Sequence, residues 1–188
     1  MTGTKKGMLI GAIGTLLLLA ATGLIVVLTG SYNVAASNKH NPVVGWALHT
    51  TMENSVRDHA EDLGPAPKFT SAMIERGGVE YKAMCVRCHG GIGEKRSEWA
   101  NAMLPQPPAL AHAAQEWSPQ EVFWMVKHGI KMSAMPAFGT THDDPTIWSI
   151  VAFVNQMPQM NEAQYAAIKA EHGEEGHEHD ARAEAGHH

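Results

Sequence analysis

Only two cysteines occur in 188 residues, and they stand three apart at Cys85 and Cys88. No framework of several disulfides holds this chain, and an all-cysteine zinc site is excluded because it needs four such ligands. An excess of positive charge is also missing: 14 Lys and Arg face 19 Asp and Glu, for a formal net charge of −5. Six acidic residues and one arginine within residues 171–188 account for all of it. The rest of the chain is balanced and leaves no basic stripe to neutralise phosphates, which argues against nucleic-acid binding. Charge of either sign is absent from residues 8–29.

What is present is more specific. The two cysteines belong to Cys85-Val86-Arg87-Cys88-His89. C-x-x-C-H is the attachment signature for c-type haem, because two thiols at this spacing each add across one vinyl group. The histidine that follows supplies an imidazole nitrogen as the proximal iron ligand. Read as C-x-x-C alone, the pair stands for a redox dithiol or half of a zinc site. One motif implies one covalently attached haem c.

Downstream lies Met132-Ser133-Ala134-Met135-Pro136-Ala137-Phe138-Gly139. With the C-x-x-C-H motif, this stretch resembles class I cytochromes c, whose distal methionine stands in a Met-Pro-Ala-Phe-Gly-like loop between two helices. The resemblance implies that Met135 is the distal ligand, with Met132 the second candidate and core filling the alternative role for either thioether. The cofactor-binding set is then Cys85, Cys88, His89 and Met135, with His89 and Met135 on the iron. Imidazole and thioether together close the coordination sphere, and sulfur favours the ferrous state. That suits an electron carrier rather than an enzyme.

Helical spacing agrees. Gly77 and Tyr81 are four apart on a helix expected over residues 69–84, and Tyr81 precedes Cys85 by four again. In the family such a glycine and aromatic let the first helix cross the last closely. The last helix is expected to open at Asp144-Pro145 and to carry Ile150 and Phe153 toward that notch. Ser118-Pro119-Gln120-Glu121 reads as a capping box, and His128-Gly129 as the end of the helix it opens. Residues 104–110 carry three prolines and cannot be helix interior. In the family a proline-bearing loop offers a carbonyl to the Nδ1 proton of the proximal imidazole, a place open to Pro107 or Pro108.

The expected architecture is all-α: a class I cytochrome c haem domain preceded by an N-terminal transmembrane helix and a short amphipathic helix. Residues 1–30 form a cytoplasmic N-terminus and signal anchor, since an uncharged run of 22 residues spans about 33 Å and Lys5 and Lys6 precede it. A cleaved signal peptide is the rival reading of this run. Residues 31–67 form a periplasmic linker, with an amphipathic helix opening at Asn41-Pro42 that suits the membrane surface, a partner subunit or the chain's own haem domain. Residues 68–160 are the haem domain. Residues 161–188 hold a short helix opened by Asn161 and Gln164, then an acidic tail with five histidines that reads as a disordered tail or a divalent-metal binder.

The function expected is single-electron transfer between redox proteins at the periplasmic face of the inner membrane. The alternative is a fixed haem subunit of a respiratory, photosynthetic or dehydrogenase complex. An open sixth position, as in a gas sensor or peroxidase, runs against the Met135 loop.

Overall fold

The computed structural model describes residues 3–168, so the histidine-rich tail lies outside the described residues. Among the described residues every regular element is helical and no strand occurs, in keeping with the all-α expectation. The chain divides into two compact units, Met1–Lys39 and His40–His188.

The first unit holds α1, Gly3–Thr29, 27 residues that extend for about 40 Å. The helix is long and apolar enough to cross a membrane. Thr15, Thr22 and Thr29 donate their hydroxyls to the carbonyls of Gly11, Leu18 and Ile25 at 3.0, 2.9 and 2.7 Å. These three hydroxyls are satisfied within their own helix, as a hydrocarbon surrounding demands.

The second unit is a bundle of short helices: α2 (Pro42–Glu61), α3 (Ser71–Glu80), α4 (Val86–His89), α5 (Glu98–Asn101), α6 (Leu110–Ala113), α7 (Pro119–His128), α8 (Asp144–Gln156) and α9 (Glu162–Ala167). Side-chain caps set several starts. Asn41 accepts from the Val43 amide at 3.0 Å with Pro42 behind it, and Thr70 accepts from Met73 at 3.3 Å. Both capping boxes form, Ser118 with Glu121 at 3.3 and 2.6 Å and Asn161 with Gln164 at 2.9 Å each way. The cap of α8 is Asp143, one residue before the expected Asp144, and it accepts from the Thr146 amide at 3.0 Å. Pro145 therefore stands second in the helix rather than first, still within the turn whose amides lack helical partners.

Gly77 decides how α3 and α8 pack. A Cβ there would lie 1.8 Å from the Ser149 carbonyl oxygen, so the two backbones touch where a side chain would stand. The Phe153 ring closes on Gly78 one residue further, and Tyr81 and Phe153 meet with ring centroids 5.2 Å apart. The core follows this crossing. Tyr81, Val86, Ile150, Phe153, Val154, Met157 and Tyr165 form one buried cluster, and Phe123, Val126, Ile147 and Val151 form another. The α8 helix feeds both.

The α2 helix, which the sequence suggests as part of a linker, packs its C-terminal half against α7. Val56 and Ala60 are buried, the His59 and Trp124 rings lie 5.4 Å apart, and Arg57 sits over Trp117 and 3.9 Å from Glu121. Residues 62–70, which join α2 to α3, thus lie inside the second unit.

Candidate functional site

The expected single helix over residues 69–84 does not stay regular. At Tyr81–Cys85 it widens into a π turn, with the Val86 amide donating back to the Tyr81 carbonyl five residues earlier. Such bulges recur at functional sites because they re-aim the side chains that follow. Here those side chains are the two thiols and the histidine of the motif.

Tyr81 opens this turn from inside the core. Its ring is fully buried, and its hydroxyl donates to the Gly90 carbonyl at 2.6 Å. That bond ties the beginning of the motif to its end, and Gly90, at φ +71°, ends α4 directly after His89. Burial, then the nearby Cys85 thiol, holds the Tyr81 phenol well above its usual range. Cys85 and Cys88 are free thiols. Burial, followed by Cys88 and Glu80, pushes the Cys85 thiol up to about 12, so it is protonated at neutral pH.

His89 faces the proline-rich stretch. Its Nδ1 lies 2.8 Å from the Pro108 carbonyl, so Nδ1 carries a proton and donates it, and in the neutral ring the lone pair is on Nε2. Burial lowers the pKa of this ring and favours that neutral form, against the opposing effect of the Pro108 bond. Of the two prolines open to this position, Pro108 holds it. The carbonyl of Pro107 accepts instead from the Arg96 guanidinium. Arg96 thus straps the loop whose next carbonyl orients His89, a role that its place among scattered surface charges does not reveal. The Ser97 amide closes the intervening turn on the Arg87 carbonyl at 2.9 Å.

The methionine loop is built around a serine. Ser133 donates its hydroxyl to the Ile130 carbonyl at 2.7 Å and accepts from the Met135 amide at 3.1 Å, while Ile130 donates to the Met135 carbonyl at 3.2 Å. Gly129 at φ +66° makes room, since a Cβ there would lie 2.7 Å from the Met135 carbonyl oxygen. Met135 packs partly buried against the Phe123, Val126, Ile147 and Val151 cluster. Met132 lies in the left-handed region at φ 60° and is 77% exposed. His128 is exposed at the end of α7 and meets Trp124, with ring centroids 5.1 Å apart. No group of three or more His, Cys, Asp or Glu suited to a metal ion occurs among the described residues.

The donor set fits a c-type haem. Two thiols three residues apart, an adjoining imidazole with Nδ1 already bound and Nε2 open, and a thioether on a hydrogen-bonded loop are the groups such a cofactor uses. Cys85 packs against one core cluster and Met135 against the other. Residues 72–154 match the family described as "Cytochrome C oxidase, cbb3-type, subunit III". No curated protein matches the chain.

Proposed function

We propose, from the premise that residues 72–154 are a class I cytochrome c-like haem domain concerned with haem-based electron transfer, that this chain is a membrane-anchored monohaem cytochrome c. It passes single electrons between redox proteins at the periplasmic face of the inner membrane. Cys85 and Cys88 would hold the haem through two thioethers, and His89 Nε2 and the Met135 sulfur would ligate its iron. When bound, haem c supplies the one-electron ferric–ferrous couple. The observation that carries the reading is the Nδ1 contact of His89 with Pro108 at 2.8 Å, which orients the imidazole and leaves Nε2 as its ligating nitrogen, on the same helical turn as both thiols.

The surrounding residues limit motion. Arg96 on the Pro107 carbonyl and Tyr81 on the Gly90 carbonyl hold the proximal side, and Ser133 holds the backbone from which Met135 projects. Two ligands kept in place in both oxidation states leave little reorganisation for electron transfer. The α1 helix anchors the domain, and Lys5 and Lys6 before it favour a cytoplasmic N-terminus. The family's description, which names an oxidase subunit, supports a second reading: a fixed haem subunit of a larger membrane complex.

The test is an optical spectrum of the detergent-solubilised protein, with carbon monoxide added to the reduced form, for wild type and Met135→Ala. Wild type shows the weak red iron–thioether band and ignores carbon monoxide. Met135→Ala keeps its covalent haem, loses that band and binds carbon monoxide. An unchanged red band in Met135→Ala removes Met135 as a ligand.

A further inference from the structure

The α2 helix changes character halfway along. Its C-terminal half is fixed to α7 through Val56, Ala60 and the His59–Trp124 contact. Its first two turns instead leave Val43 69%, Trp46 68% and Leu48 41% exposed. The outward positions that follow are polar, Thr51, Asn54 and Asp58. The apolar surface is therefore confined to the start of the helix. Exposed tryptophan beside aliphatic residues is costly in water, and an amphipathic ring is at home in the interfacial layer of a bilayer.

Two further observations identify what covers it. Only 12 residues, 30–41, separate the end of α1 from the start of α2, so the chain cannot carry Pro42 more than roughly 47 Å from Thr29. Residues 1–52 also contain no carboxylate side chain; Glu53 comes first, where the exposed face of α2 has already turned polar. Within residues 30–52 the one formal charge is Lys39, which is exposed. A segment free of acidic groups, with a lysine beside an apolar helical start, complements anionic lipid headgroups.

We propose that the first two turns of α2 lie in the headgroup layer of the bilayer that α1 crosses, with Trp46 as the interfacial anchor. This rests on the reading of α1 as a membrane span. Because the other half of α2 is packed onto α7, the haem domain carries this lipid contact on its own surface.

The test uses the full-length haem-loaded protein in vesicles of phosphatidylcholine and phosphatidylglycerol carrying brominated acyl chains, with wild type compared to Trp46→Phe. Trp46 is exposed, so its replacement leaves the haem spectrum unchanged. In wild type, bromine near the headgroup quenches tryptophan emission more than bromine deep in the chain, and Trp46→Phe loses most of that quenching. Equal quenching in the two variants, with both floating with the vesicles, overturns the proposal while α1 stands as an anchor. Protection of Trp46 only after other membrane subunits are added assigns the surface to a protein and overturns it too. Failure of both variants to float removes the anchor reading and this proposal with it.

Discussion

At the residue scale, Tyr81 joins stability to the haem motif. Its phenol is buried in the α3–α8 crossing and donates to the Gly90 carbonyl, itself buried, at 2.6 Å. Tyr81→Phe keeps the ring and its contact with Phe153 but leaves that carbonyl without its donor. The expected cost is about 1–3 kcal/mol, read from denaturant unfolding of the haem-loaded protein. The pH dependence separates the hydroxyl from the ring. Burial raises the Tyr81 pKa in the folded state, so folding favours the neutral phenol. Its contribution is then fully present below the unfolded tyrosine value of about 10, and it is lost as pH rises above that value. Wild type should lose stability from about pH 10 upward at a slope that Tyr81→Phe partly lacks. Parallel slopes in the two proteins would show that Tyr81 ionises alike folded and unfolded.

At the element scale, the close approach of α3 to α8 makes two glycine substitutions diverge. At Gly77 a new Cβ would meet the Ser149 carbonyl oxygen at 1.8 Å, backbone that cannot step aside without separating the helices. Gly77→Ala should cost about 3 kcal/mol and loosen the haem domain, read as a lowered melting temperature and weaker near-ultraviolet dichroism. Gly45 lies inside α2 with only the His40 Cβ near, at 3.7 Å. Gly45→Ala should stabilise by about 0.5–1 kcal/mol, since the helix gains a better former without a clash. The same elements show how far the amino-acid pattern discloses the fold. The Gly77-x-x-x-Tyr81 spacing, both capping boxes and the helix end at Gly129 are local patterns, legible in the order of residues alone. The π turn at Tyr81–Cys85 is not: it coincides with a hydroxyl reaching a carbonyl nine residues away, a contact that local spacing does not encode. The choice of Pro108 over Pro107 is equally closed to sequence, since Arg96, 11 residues before Pro107, decides which carbonyl is left for His89. Ser133 is nearer to view: a serine two residues before Met135 is a common device for turning a loop back on itself.

At the scale of the whole molecule, the division into Met1–Lys39 and His40–His188 gives a way to tell a tethered carrier from a fixed subunit. The second unit contains both core clusters, the haem motif and the methionine loop, so a chain beginning at His40 should load haem and keep the wild-type spectrum. What it loses is confinement. A tether holds the domain near partners in the same membrane at an effective concentration on the order of millimolar, without adding any contact. Reduction of residues 40–188 by native membranes should therefore become second order, rising with added protein, while the anchored form reacts at a rate set by the membrane. Stopped-flow haem absorbance measures both. If residues 40–188 instead copurify in mild detergent with other membrane subunits, protein contacts of the haem unit hold it in place. The chain is then a fixed haem subunit, and α1 is not what brings it to its partner.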